Sequence, residues 1–148
     1  MRALVQRIIK SSVRIGGEVH AETGRGLLVF LGISRKDTFE AADSLITKLP
    51  LLRIFEDDAG KMNKSVTDIE GDILIISQFT LYADTAKGNR PSFTDACPPD
   101  DARRIYDYFI NGISERYRGA VKTGVFGADM KVALVNDGPV TIMMDTDA

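Results

Sequence analysis

Side chains able to act as catalytic bases or metal ligands are scarce in this chain. Its 148 residues include one cysteine, Cys97, and one histidine, His20. A single cysteine excludes an internal disulfide framework and a thiolate metal cluster. With one histidine besides, the ligands of a zinc-type site are lacking, so no metal and no cofactor are expected. HExxH, a Walker loop ending in Gly-Lys-Ser/Thr and the GxSxG elbow are all missing, which removes three common routes to hydrolysis or phosphate binding. A His-based triad has only His20 to draw on. Cys97 precedes Pro98-Pro99 with no base beside it in sequence, the pattern of a tolerated loop thiol and not of a nucleophile. No apolar run approaches the ~20 residues of a membrane span, and no signal-peptide core opens the chain. A cytoplasmic protein without membrane association is expected.

Charge is also in short supply. Nineteen bases against 21 acids leave a formal net charge of −2, which excludes binding to nucleic acid through bulk positive charge. The distribution is uneven. The first 17 residues carry Arg2, Arg7, Lys10 and Arg14 and no acid, so the remainder holds 15 bases and 21 acids. Such a start resembles a transit peptide in composition. Residues 4–9 nevertheless alternate partly like a strand and carry no amphipathic helical stripe, so a native first strand is the better reading.

What is present is ordinary globular material: 44% hydrophobic and 27% charged residues, in a length suited to one domain, residues 1–148. Strands are expected at 2–9, and at 12–15 and 18–21 around a tight Gly16-Gly17 turn. A buried strand is expected at 27–31, and further strands at 53–56 and 73–76. The first helix is expected to open at Asp37, with Glu40 in a capping-box arrangement and Ala41, Leu45, Ile46 and Leu49 on its apolar face. Pro50 ends it. The second helix is expected at 100–118, with Ala102, Ile105, Phe109, Ile110 and Ile113 at helical spacing. Two or three strands close the chain, clearest at 131–135 and 140–144. Helices do not alternate one for one with strands. That favours an α+β fold, a mainly antiparallel sheet or open barrel flanked by two helices, over a doubly wound parallel sheet.

Two segments stand out. Ser77-Gln78-Phe79-Thr80 leaves the most apolar strand, where hydroxyls and backbone N–H groups freed from the ladder can cradle an oxyanion. The same pattern is also what a strand shows when it turns polar at the surface, and both readings stand at this point. A nucleophilic Ser77 or Thr80 would need a base, and none lies nearby in sequence. The second segment is Gly138-Pro139, which has neither a first side chain nor a second N–H. It can present carbonyls to a ligand with little bulk in the way, or form a plain turn.

These segments belong to a larger set. Residues 77–81 (SQFTL), Arg90-Pro91-Ser92-Phe93, residues 124–130 (GVFGADM) and residues 136–141 (NDGPVT) occur in order, with Arg53-Ile54-Phe55-Glu56 and Gly60-Lys61-Met62-Asn63 before them. Together they resemble the D-aminoacyl-tRNA deacylases, from Gln6-Arg7 to the last strand. Pro50, Cys97 and the acidic tail at Asp145 and Asp147 depart from the family pattern without touching the motifs.

The resemblance implies a cytoplasmic homodimer that hydrolyses the ester joining a D-amino acid to the terminal adenosine of tRNA, with glycyl-tRNA mischarged on tRNA(Ala) as a further substrate. It implies that Ser77, Gln78, Phe79 and Thr80 line the pocket for the aminoacyl group and terminal ribose. A cis Gly138-Pro139 pair would enter the partner's pocket, hold the substrate's α-amino group by its carbonyls and leave no room for an L side chain. Thr80 is one candidate nucleophile. The alternative is attack by water assisted by the substrate's 2′-hydroxyl, with N–H groups near Phe79 and Thr80 stabilising the oxyanion, and it is favoured because Thr80 has no base. Arg7 would orient the Gly-Pro turn, or else face solvent from its strand, and Met130 would line the pocket. Two rivals remain: a non-catalytic nucleic-acid-binding protein on the same fold, and a hydrolase of small D-amino-acid esters.

Overall fold

A computed structural model describes residues 1–147. Ala148, the last residue of the expected domain, lies outside the described residues. The strands are β1 (Arg2–Ile15), β2 (Glu18–Thr23), β3 (Gly26–Gly32), β4 (Phe55–Glu56), β5 (Met62–Lys64), β6 (Asp72–Ser77), β7 (Val121–Thr123) and β8 (Lys131–Asp145). Helices α1 (Phe39–Lys48) and α2 (Pro99–Arg116) complete the set, with short 3-10 turns at Leu49–Leu51 and Phe79–Tyr82.

β1 is the organising strand. It is one 14-residue strand where the sequence suggested two, and it changes partner along its length. Arg2–Ile8 pair with β3 and Ser11–Ile15 with β2. β8 runs antiparallel along its other edge from end to end. The break in apolar alternation at Ile8-Ile9-Lys10 coincides with a register shift against β8, so a bulge and not a chain reversal accommodates it. Gly16 and Gly17 make the turn into β2 with φ of +59° and +86°, the combination a two-residue hairpin requires. β6 joins β3 in parallel and β7 joins β6 in parallel, which makes the sheet mixed. β2 also lies against β6 and β7, curling the sheet toward a barrel.

The run Ile73–Ile76 is apolar throughout because both its faces are buried. Ile73 and Ile75 join Val5, Val29, Leu45, Ile46, Phe109 and Ile113 between sheet and helices. Leu74 and Ile76 join Ile8, Val13 and Leu28 on the opposite face, with Met130 and Leu134 packed against them.

Two helix boundaries differ from the sequence expectation. α1 begins at Phe39 with Thr38 as its N-cap residue. Asp37 is instead drawn into a buried contact, accepting from the Met1 α-ammonium and the Ser34 N–H, both at 2.6 Å. Ala41 packs against the core as expected, and Ala42 beside it is fully buried. α2 stops at Arg116 because Tyr117 turns away to place its hydroxyl on the carbonyls of Val66 and Gly71.

At the end of β8, the Asp145 carboxylate accepts from the Asp147 N–H at 3.0 Å and from Arg2 Nε at 2.9 Å. These bonds, the backbone one foremost, hold its pKa below the usual carboxylate range. A depressed folded-state value contributes stability above the unfolded value near 3.9, and loses it as pH falls through the folded value. Asp145→Asn is therefore expected to lower stability at pH 7 by about 0.5–1 kcal/mol. In paired thermal melts the difference shrinks steadily below about pH 4. A gap that stays constant at acid pH would contradict the assignment. Among the described residues, no helix is long and apolar enough to cross a membrane.

Candidate active site

β6 delivers the site. Ser77 is its last residue, and Gln78 stays tied to the sheet by donating its N–H to Leu31 O at 2.8 Å. The chain then tightens into the 3-10 turn Phe79–Tyr82, where Leu81 N–H bonds to Gln78 O and Ala83 N–H to Thr80 O. The first N–H groups of such a turn, here those of Phe79 and Thr80, have no acceptor within it. Gln78 Nε2 donates to Thr80 Oγ1 at 2.5 Å, and both groups lie at the surface end of the turn.

Beside this exit lies a cavity of about 410 Å³ on the helical side of the sheet. Ser77, Gln78 and Phe79 form one wall, and Phe93 and Phe126 form others; Leu31 and Ala102 sit beneath. Phe79 is 57% exposed and meets Phe93 edge-on, with ring centroids 5.1 Å apart. The lining is thus mainly aromatic and aliphatic, with a few polar groups at one end, the usual make-up of a small-molecule site. Phe93 and Phe126 belong to motifs visible in the sequence, but nothing in their spacing gave them a place in the site. Arg35, on the rim, carried no sequence signal at all.

The remaining sequence-derived residues lie elsewhere. Thr80 does not line the cavity and is exposed. Met130 packs on Gly124 and Ile76, against the core of the opposite sheet face. Among the described residues lining the cavity none comes from β8, so Gly138 and Pro139 are not brought to it within one chain. They sit instead on a protrusion of β8. Gln6 pairs with Thr141 and Ile8 with Asn136, so residues 137–140 of β8 stand opposite Arg7 alone. The Gly138–Pro139 peptide bond is cis, and Gly138 has φ +145°. A Cβ on Gly138 would come within 2.7 Å of Val140 Cγ2 and 3.2 Å of Arg7 Nη2.

Arg7 is 5% exposed and does not face solvent. It donates from Nε to Asp137 O and from Nη1 to Ile54 O, each at 2.7 Å. Asn136 closes the other end: its Oδ1 accepts from Val140 N–H at 2.7 Å and its Nδ2 donates to Val140 O at 3.1 Å. Side chains here replace the ladder bonds that the protrusion forgoes.

His20 is exposed on β2. Among the described residues no cluster of three or more His, Cys, Asp or Glu is placed to hold a metal ion. Cys97 lines the cavity and its N–H donates to Ile33 O. Burial, then the negative charges of Asp101 and Asp37, push its thiol above the ordinary value. Little thiolate is present at neutral pH as a result. Cys97 is expected to alkylate with iodoacetamide more slowly than free cysteine at pH 8, and Cys97→Ser to retain hydrolytic activity. Faster alkylation than free cysteine would show an activated thiol instead.

The chain is similar to known proteins along nearly its whole length. The profile of the family described as D-Tyr-tRNA(Tyr) deacylase matches residues 4–145. A D-aminoacyl-tRNA deacylase of Chlorobaculum tepidum is 53% identical over 146 residues, covering 99% of this chain and 97% of that protein. Its counterpart from Variovorax paradoxus is 55% identical over 145 residues, covering 96% and 97%. A solved structure described as a c-Myc DNA unwinding element binding protein superposes with a TM-score of 0.95 at 44% identity over 100% of both chains. A second, described as a probable eukaryotic D-amino acid tRNA deacylase, gives 0.81 at 21% identity over 97% of both and speaks to the fold alone. With the profile spanning nearly all of its length and relatives at half identity end to end, this chain belongs to the D-Tyr-tRNA(Tyr) deacylase family.

Proposed function

We propose that residues 1–148 act as one D-aminoacyl-tRNA deacylase domain, hydrolysing the ester between a D-amino acid and the terminal adenosine of tRNA. The observation that carries this is the cavity at the exit of β6, walled by Ser77, Gln78 and Phe79 and by aromatic rings suited to a base and an acyl side chain. Water adds to the ester carbonyl, the bond to the ribose oxygen breaks, and that oxygen takes up the proton as the free amino acid leaves. The N–H groups of Phe79 and Thr80 stabilise the oxyanion, and Ser77 and Gln78 hold the ribose. The substrate's own 2′-hydroxyl assists the water. This suits a site where, among the described residues, neither the Ser77 nor the Thr80 hydroxyl is hydrogen-bonded to a histidine.

Stereochemistry is set by Gly138 and Pro139. Their protrusion enters the cavity of a second copy, takes the α-amino group on its carbonyls and leaves no space for an L side chain. Glycyl-tRNA on tRNA(Ala) passes the same filter because it has no side chain to reject. Two features support the dimer. Among the described residues β8 pairs with β1 alone, and it exposes Val135, Ile142 and Met143. A long edge strand with apolar side chains is normally covered. Arg7 orients the protrusion, and Met130 packs on Gly124, in the segment that leads to Phe126 of the cavity wall. The reaction needs neither metal nor cofactor and belongs to the cytoplasm.

The DNA-binding name of the 44% identical structure favours one rival, a nucleic-acid-binding protein without catalysis. The other rival is a hydrolase of small D-amino-acid esters. Incubating the purified protein with matched D- and L-aminoacyl-tRNA separates all three. Loss of the D-ester and persistence of the L-ester at its uncatalysed rate is the expected result. Folded protein that spares both would overturn the deacylase reading, and equal loss of both would overturn the role of Gly138 and Pro139. Turnover of a free D-amino-acid ester as efficient as that of the tRNA ester would favour the small-ester hydrolase.

A further inference from the structure

A second cavity, of about 360 Å³, adjoins the first and shares with it Arg35, Cys97 and Pro98. It lies where the first turns of α1 and α2 meet, and the family motifs do not reach it. Its wall carries Phe39, which is 42% exposed at the first position of α1 and lies against Tyr108 with centroids 4.7 Å apart. Tyr108 is held in place, its hydroxyl donating to Asp43 Oδ1 at 2.9 Å. An aromatic ring kept at the surface by a second ring is a platform for a planar ligand. The same cavity holds the carboxylates of Glu40 and Asp101 beside the guanidinium of Arg104.

Between the two cavities stands Arg35. Its N–H donates to Asp95 O and its Nε to Thr94 O at 2.5 Å. Backbone and side chain are thereby both anchored, at a residue that lines both cavities. A fixed guanidinium dividing two pockets is suited to an anion that links two ligands. Beyond it, an aromatic face with carboxylate acceptors suits a base bearing an exocyclic amine, as glutamate and aspartate accept from cytosine N4.

We propose that this second cavity binds the penultimate cytidine of the tRNA 3′ end. Its base stacks on Phe39, its amine donates to Glu40 or Asp101, and the phosphate joining it to the terminal adenosine rests on Arg35. This rests on the deacylase reading, which puts that adenosine in the neighbouring cavity. It also explains how a chain of net charge −2 engages tRNA without a broad basic face: the contact is made by one nucleotide and one phosphate.

The test is a chemical-shift titration of the full chain with adenosine and with the dinucleotide cytidylyl-(3′→5′)-adenosine. The dinucleotide is expected to bind roughly tenfold tighter than adenosine, the worth of one stacked base. Phe39→Ala should erase that advantage and Phe39→Trp keep it. Equal affinity for the two ligands, an advantage that survives Phe39→Ala, or no saturable binding of the dinucleotide at millimolar concentration would each overturn the subsite. A uridylyl counterpart that binds as tightly would overturn the assignment of cytosine. Hydrolysis of D-aminoacyl-tRNA is followed in the same preparations, and its absence counts against the deacylase reading alone.

Discussion

Arg7→Ala is expected to lower the melting temperature by about 6–12 °C and to abolish discrimination at the Gly138-Pro139 protrusion. Arg7 is almost wholly buried and donates to two carbonyls from separate parts of the chain, Asp137 O on the protrusion and Ile54 O just before β4. Removing it strands both acceptors, at about 1–3 kcal/mol each. The Asp137 carboxylate, 3.6 Å away and 39% exposed, keeps its water and adds little. A total near 3 kcal/mol, at roughly 2–4 °C per kcal/mol for a chain of this size, gives the stated shift. Arg7→Lys separates charge from geometry. Its single ammonium cannot hold the two divergent carbonyls at once, so it should recover about half of the lost stability and little of the selectivity. The checks are calorimetric melts and D- against L-ester hydrolysis below the transition. A melting temperature within about 2 °C of wild type, with selectivity intact, would show that the protrusion holds itself without Arg7.

That same strand shows how far the fold was legible beforehand. Ala3, Val5 and Arg7 share one face of β1 by simple alternation, and the first two are core residues. The inward direction of Arg7 was therefore written in residues 2–9, even though its partners were not. β3, β6, the Gly16-Gly17 hairpin and both helices were readable because each is decided within a dozen residues, by apolar spacing and by turn chemistry. The continuity of β1 and β8 was not. A strand that carries one register shift, or four residues opposite one, looks interrupted in sequence, and only the partner strand keeps it whole. β4 and β5 are joined through a turn at Asp57–Gly60, where Gly60 N–H bonds to Asp57 O, and Met62–Lys64, short and mostly exposed, carried no strand signal. The start of α1 misled for a related reason. Asp37 resembles a cap three residues before Glu40, but it accepts the α-ammonium of Met1, 36 positions away, and local pattern carries no information about such a partner.

The candidate site divides along the same line. Ser77, Gln78 and Phe79 were legible as the polar exit of an apolar strand. Phe93, Phe126 and Arg35 reach the cavity from three loops remote in sequence, so no period or spacing unites them. Gly138 and Pro139 were singled out for their backbone, and the ladder register explains why that mattered. Met130 is not among the residues that line the cavity, since Gly124 opens a space on the opposite sheet face that its thioether fills.

Replacing the terminal adenosine of a D-aminoacyl-tRNA by 2′-deoxyadenosine is expected to lower kcat by roughly 10²–10⁴-fold, the usual worth of a positioned proton-transfer group. Thr80→Ala, by contrast, should cost less than about tenfold, the order of one hydrogen bond in the site. A threonine acts as nucleophile only when a base draws off its proton. Here its hydroxyl accepts from the Gln78 amide at 2.5 Å, and an amide N–H cannot take a proton. Among the described residues no side-chain hydrogen bond joins Ser77 or Thr80 to a histidine, lysine or carboxylate, and His20 is on β2 at the surface. The oxygen that assists the water must then come with the substrate, and its loss falls on kcat with KM little changed, the mark of an interaction made chiefly in the transition state. Single-turnover kinetics with the two substrates and the two proteins decide it. Thr80→Ala inactive on the ordinary ester, together with wild-type protein indifferent to the missing hydroxyl, would reverse the assignment and make Thr80 the nucleophile.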